Sequence, residues 1–354
     1  RDRYVSPSLA TDDVHRWVPT LALRTLNTSH WGALHAEAPE TARLITNFAA
    51  DPPPAPSPAA PAPAAAPPTA AQALSMSHRP GSMPVDVTST ALGPVVVTGG
   101  GSGIGRATAL AFAERGAAVV VCDIDIEGAR RTAELAGLLG PEAHAYQVDV
   151  SDDKAMEAFA ADVLENHGVP RIVVNNAGIG HAGTFLSTTE EEWRRVLDVN
   201  LWGVIHGCRS FASRMDSGHI VNVASAAAYL PSKDLAAYSA SKAAVLALSQ
   251  SLRGELAGRG IRVSVICPGF VNTNIVRTFT YSGLSLEQQE AKRARAVRLY
   301  AMRNYPPEKV ARAIVTAVER DKPMVAVTPE SKVFLAISRF APSLGRLIIR
   351  RDLA

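Results

Sequence analysis

A glycine run between two different periodicities constrains this chain most. Val95-Val96-Val97-Thr98 leads into Gly99-Gly100-Gly101-Ser102-Gly103-Ile104-Gly105, and an alanine-rich stretch follows. The β-branched run reads as a buried strand and the stretch after the glycines as a helix. Glycines at that junction let the backbone turn tightly and approach a pyrophosphate, whose charge is met by free N–H groups at the helix N-terminus. A strand-to-helix turn that binds nothing is the plain alternative, so the rest of the chain has to decide.

From about residue 92 onward, apolar runs alternate with helical periodicity, the pattern of βαβ units around a parallel sheet. Strands are predicted over 95–98, 118–122, 143–148, 171–174, 219–223, 261–266 and 325–327, with helices over 103–115, 127–139, 193–211 and 238–257. Seven strands with intervening helices make a doubly wound α/β (Rossmann) sheet over residues 92–330. Ahead of it, a Pro/Ala-rich tract beginning at Asp51 reads as an extended, semi-rigid linker over 51–91. Residues 331–354 read as a basic amphipathic tail.

With 354 residues and 47% hydrophobic content there is ample material for a core, and a net charge of +3 gives no reason to expect a nucleic-acid partner. Cys122, Cys208 and Cys267 lie far apart and match no metal-ligand spacing, so no metal is expected and a reducing cytoplasm fits. No signal peptide or spanning helix is expected in the sequence given, and its start at Arg1 rather than Met leaves the true N-terminus open.

Asp123 closes the second predicted strand, where a carboxylate can accept hydrogen bonds from ribose hydroxyls and would repel a 2′-phosphate. The next residue is Ile124 rather than a cation, which favours NAD, while Arg106 keeps NADP as the lesser alternative. Further on, Ser225 ends a strand and Tyr238 and Lys242, four apart, share a helix face. Such an ammonium, helped by an oxidised nicotinamide, is expected to lower the tyrosine pKa and make it a proton shuttle. Taken singly, each of these features is ordinary protein surface.

In this order and at this spacing, the motifs resemble the short-chain dehydrogenase/reductase family over residues 92–329, with no departure at a catalytic position. The resemblance implies that Gly99, Ser102, Gly103, Ile104 and Gly105 cradle the cofactor, and that Asp149 and Val150 meet its adenine. Asn175-Asn176-Ala177-Gly178 matches a family signature, so Asn176, Ala177 and Gly178 are expected to wall the cofactor. It also implies that Asn200 kinks its helix and holds a water leading to Lys242, and that Ser225 bonds the substrate oxygen while Tyr238 exchanges the proton. Lys242 would also hold the nicotinamide ribose, with Pro268, Gly269, Val271 and Thr273 against the nicotinamide.

The implied activity is interconversion of a hydroxyl and a carbonyl on a hydrophobic small molecule, a lipid or steroid among the candidates, in a homodimer or homotetramer. A nucleotide-binding module without turnover, or a piece of a larger hydrolase fusion, is the alternative. Residues 274–307, the segment that forms the family's substrate lid, carry Arg277, Lys292, Arg293, Arg295, Arg298 and Arg303 beside Tyr281, Tyr300 and Tyr305. Those cations read either as a solvated helix face or as partners for an anionic or amphiphilic substrate. The tail could lie on an anionic membrane, although packing against a second subunit or its own domain is the favoured reading.

Residues 1–50 resemble the end of an α/β-hydrolase of the epoxide-hydrolase type, with Asp2 as acid and His30 before Trp31 as base. A nucleophile elbow is missing, so this piece is expected to be chemically silent, loosely ordered and derived from a hydrolase–dehydrogenase fusion.

Overall fold

The computed structural model describes residues 93–350. The expected hydrolase-like piece, the linker and the last four residues lie outside the described residues. Within them, the α/β expectation is met by strands β1 (Val95–Thr98), β2 (Val119–Asp123), β3 (Ala143–Gln147), β4 (Ile172–Asn175), β6 (Gly218–Val223), β7 (Ile261–Cys267) and β9 (Met324–Ala326). All pair in parallel, in the order β3-β2-β1-β4-β6-β7-β9. Two short strands, β5 (His181–Ala182) and β8 (Thr280–Tyr281), form a separate parallel pair.

The helices are α1 (Gly103–Ala113), α2 (Ile126–Gly137), α3 (Asp153–His167), α4 (Glu190–Leu197), α5 (Gly203–Ala212), α6 (Ala236–Leu256), α7 (Leu286–Arg303), α8 (Pro307–Glu319), α9 (Pro329–Phe340) and α10 (Pro342–Arg350). Side-chain alternation along β1 explains the layers. Val95 and Val97 enter a core with Val119, Val121, Phe112 and Ile314, under α1 and α8. Val96 faces the other way, toward Val120, Met156, Phe211 and Val245 under α3, α5 and α6. Burial on both faces is why these strands are continuous apolar runs instead of alternating ones, and each fully buried Val contributes roughly 1.5–3 kcal/mol.

The helices differ from expectation in two ways. The long helix predicted over 193–211 is divided: α4 runs into a π-helical turn over Asp198–Trp202, and α5 continues from there. The segments 153–167 and 286–319, for which no helix was predicted, form α3, α7 and α8. Asp152 caps α3 by accepting the Lys154 and Ala155 N–H groups, and Ser285 and Gln288 make a capping box on α7. Both are start signals that sequence can display.

Because every main strand is parallel, their carboxyl ends share one edge. The winding reverses where β1 stands between β2 and β4, and a ligand crevice forms beyond the strand ends at such a reversal.

Candidate active site

At the end of β1 the backbone of Gly99 adopts φ +62°, and a Cβ there would sit 2.7 Å from Ala177 Cα. At Gly105 a Cβ would collide with the Gly99 carbonyl. Glycine is therefore required for the turn at one position and for close approach at the other. Asn176 closes the same corner: its Nδ2 donates to Thr98 O and Gly99 O, both at 3.0 Å, and the Asn176 and Ala177 N–H groups donate to Thr98 Oγ1 at 3.1 and 3.2 Å. The loop after β4 thus props up the loop after β1.

Ser102 stands at the N-cap of α1 in extended conformation, yet its side chain makes no capping hydrogen bond. Its hydroxyl and the unpaired first-turn N–H groups can both serve an anion. Across from them, a Cβ at Gly103 would meet Thr273 Cβ at 3.1 Å, so Thr273 and the glycine loop face each other at close range. The glycine turn and the helix N-terminus behind it fit a dinucleotide pyrophosphate.

Asp123 accepts the Gly101 N–H at 2.8 Å on one oxygen and the Asp125 N–H at 3.0 Å on the other. Arg106 is tied elsewhere: Nε donates to Thr132 Oγ1 at 3.0 Å, and the guanidinium also bonds Gly101 O and Gly128 O. Asp149 is exposed at the end of β3 and accepts from the N–H and hydroxyl of Ser151, while Val150 is buried.

At the other end, Asn200 sits fully buried in the π-helical turn. Its Oδ1 accepts the Ile179 N–H at 2.8 Å, and its Nδ2 donates to Ile179 O at 3.0 Å and Ser241 Oγ at 3.3 Å. The wide turn carries the Asn200 side chain to the Ile179 backbone beyond β4. A Cβ on Gly178 would lie 3.1 Å from Asn200 Oδ1 and 3.3 Å from Lys242 Nζ, which brings those two groups to the same point. Lys242 Nζ donates to Val223 O at 3.1 Å. Burial pushes its pKa down to about 8.

Tyr238 faces the same space from α6 beside Ser225, whose Oγ accepts the Ala227 N–H at 3.2 Å. Burial raises the Tyr238 pKa above its ordinary value, and the neighbouring Ser225 hydroxyl opposes that shift. Lys242 Nζ lies 5.9 Å from the tyrosine ring centroid, and one of its three N–H donors goes to Val223 O.

Pro268, Gly269 and Val271 follow β7, with Pro268 O accepting the Ala226 N–H at 2.8 Å beside Ser225. Around Tyr238 stand aromatic rings from the lid: Phe279 at 6.4 Å between centroids, then Tyr281 at 5.9 Å from Phe279, and Tyr300 edge-on to Phe270 at 5.3 Å. The lid cations do not join them. Arg277, Lys292, Arg295 and Arg298 are exposed, Arg293 donates to Phe279 O at 3.2 Å, and Arg303 covers the Phe270 ring. The solvated helix face is thus the reading the lid supports.

Residues that motif reading passed over include Ser241, Phe279, Phe270, Thr328 and Glu330. For the last two, the start of α9 offered a signal: Thr328, Pro329 and Glu330 form the Thr-Pro-Glu of a capped helix N-terminus. Away from this site, at the sheet edge, Glu142, His144 and His167 gather with donor atoms within 4.8 Å of one another. Those groups satisfy each other, His144 with Glu142 at 2.6 Å and His167 with the Tyr146 hydroxyl at 2.8 Å.

Comparison with known proteins agrees with this architecture. The family model described as short chain dehydrogenase matches residues 94–281. The chain is 42% identical over 99% of its length to "Probable oxidoreductase EphD" of Mycobacterium tuberculosis, but spans only 57% of that protein. It is 31% identical to "Putative oxidoreductase SadH" of the same organism, over 73% of this chain and 94% of the other. Among solved structures, a short chain dehydrogenase/reductase from Burkholderia phymatum in complex with NAD superimposes with a TM-score of 0.66 at 30% identity, covering 73% of this chain and 96% of that one. With the glycine loop, the strand order and the matched span all in agreement, the chain belongs to the short chain dehydrogenase family.

Proposed function

We propose that the chain is an NAD-dependent oxidoreductase that interconverts a hydroxyl and a carbonyl on a hydrophobic small molecule. The observation that carries this reading is the convergence of Ser225, Tyr238, Lys242 and Asn200 at the carboxyl ends of β4 and β6, beside an open glycine cradle.

When bound, the nicotinamide supplies the hydride acceptor for oxidation or the hydride donor for reduction. Ser225 donates a hydrogen bond to the substrate oxygen and orients it against Tyr238. In oxidation the phenolate of Tyr238 takes the hydroxyl proton while the carbon loses hydride; in reduction the phenol returns the proton to the oxygen. Lys242 would hold the nicotinamide ribose and exchange the proton with a water held at the Asn200 and Ile179 corner. Gly99, Ser102, Gly103, Ile104 and Gly105 receive the pyrophosphate. Asp149 and Val150 flank the adenine, Asn176, Ala177 and Gly178 form a wall, and Pro268, Gly269, Val271 and Thr273 meet the nicotinamide.

Two observations support NAD. Asp123 keeps lone pairs for the ribose hydroxyls, and Arg106 is already bonded to Thr132, Gly101 and Gly128. The NAD complex of the Burkholderia phymatum protein agrees. A hydrophobic substrate is supported by the aromatic lining of Phe279, Tyr281 and Tyr300, and by the 42% identity over 186 residues to "3beta-hydroxysteroid dehydrogenase 1" of Eggerthella lenta.

Titration with NADH and NADPH by fluorescence, followed by turnover of an alcohol and ketone panel, tests the reading. Tyr238→Phe should keep NADH affinity and lose roughly 10²–10⁴-fold in turnover. Preference for NADPH would reverse the cofactor assignment, and NADH binding without turnover on any substrate would favour a binding module.

A further inference from the structure

The loop Cys267 to Phe270 is gripped from two sides by residues outside every motif used so far. From the first turn of α9, Thr328 Oγ1 accepts the Gly269 N–H at 3.1 Å and Glu330 Oε1 accepts the Phe270 N–H at 2.7 Å. Ser331 Oγ donates to Cys267 O at 2.6 Å, and the Tyr229 hydroxyl, just beyond Ser225, donates to Ser331 O at 2.9 Å. The packing is tight enough that a Cβ on Gly269 would collide with both Thr328 and Glu330.

From the last turn of α7, Arg303 lies over the Phe270 ring at 4.4 Å and reaches the same Glu330 oxygen at 3.9 Å, while Tyr300 meets the ring edge-on. Glu330 therefore touches both the loop backbone and the end of the lid helix. Its side chain is only 20% exposed, and a carboxylate receiving a backbone N–H in such a place makes a strong, directional bond.

We propose that Glu330 is a positioning residue for the nicotinamide end of the site: its carboxylate sets the Gly269-Phe270 backbone and, through Arg303, locks the C-terminal turn of the lid helix to it. Lid and nicotinamide loop then move as one unit, so that a substrate ordering the lid also orders the surface against the cofactor. This rests on the dinucleotide reading and goes beyond it, because neither the glycine motif nor the active-site residues call for an acid at this position.

The test compares NADH with ADP-ribose, which lacks the nicotinamide, on the full chain. Glu330→Ala should weaken NADH by about tenfold or more and leave ADP-ribose within about twofold. Glu330→Gln, whose amide oxygen can still accept the Phe270 N–H, should restore most of that loss, and Arg303→Gln should fall between. Without any nucleotide, hydrogen exchange at the Phe270 amide should speed up in Glu330→Ala and much less in Glu330→Gln. Unchanged NADH affinity in Glu330→Ala overturns the proposal, as does an equal loss for both ligands that follows a lowered Tm, since that is plain structural damage. A wild type that binds neither ligand overturns the dinucleotide reading itself and this inference with it, whereas the other outcomes leave that reading standing.

Discussion

Lys242 and Tyr238 show what burial does to two groups that look alike on a helical wheel. Each is moved toward its neutral form: the lysine down to about 8, the tyrosine above its ordinary value. Cys267, pushed up to about 12, stays a neutral thiol and offers the ammonium no counter-charge at neutral pH. A lysine depressed by folding holds its proton less tightly in the native state than in the unfolded one. Native protein therefore bears a penalty below about pH 8 that is relieved as the pH rises toward the ordinary value of 10.5. Lys242→Met should accordingly be more stable than wild type at pH 7, by on the order of 1–3 kcal/mol, and lose that advantage by about pH 10.5. Paired urea melts at the two pH values measure this, and a difference independent of pH would remove the argument. The spacing of Tyr238 and Lys242 was legible in the sequence, but the destination of the ammonium, Val223 O, was not, because it depends on where β6 ends relative to α6.

At the scale of elements, the glycine loop was readable because its requirement is local. Gly99 needs left-handed backbone, and Gly105 needs room against a carbonyl six residues away. Gly105→Ala should cost on the order of 1–3 kcal/mol by overpacking and weaken NADH binding, while the exposed Gly137, with open space around its Cβ position, should accept alanine without loss of affinity. Denaturant midpoints and NADH titrations of the two variants check the contrast. The π-helical turn was less legible. Hydrophobic periodicity runs through 193–211 as one helix, whereas the bonds of Asn200 to the Ile179 backbone and Ser241, which the wider turn accompanies, are long-range. Thr189 with Glu192 caps α4 reciprocally, a signature that was present and unread.

For the molecule as a whole, parallel pairing brings residues 98, 123, 175, 223 and 267 to one edge, although they are spread over most of the domain. On its outside, Trp202 stays 49% exposed on the π-helical turn. Family resemblance implies pairing through the helices that carry Asn200 and Tyr238, and an exposed Trp there fits an anchor for a second copy. Sedimentation should give a dimer or tetramer, and Trp202→Glu should shift it toward monomer; a monomeric wild type would end this reading. The C-terminal α10 docks by Gly345 on Leu230 and Ile337. Phe340, Leu344 and Leu347 remain exposed near Arg339 and Arg346, where a second subunit or an anionic membrane could meet them. Co-sedimentation with anionic vesicles at low salt separates the two. Among the described residues no helix is long and apolar enough to cross a membrane.

Short-range chemistry is what the sequence by itself determined: which runs form strands and helices, where glycine is obligatory, and which side chains can move a proton or meet a dinucleotide. Those properties depend on neighbours within a turn or a strand. Tertiary structure alone decided that Lys242 donates to Val223, that Arg106 is tied down beside Asp123, and that Glu330 joins a lid helix to the nicotinamide loop. Each of those contacts joins residues at least 19 positions apart, and no local pattern encodes them because only the packing of the sheet brings them within reach.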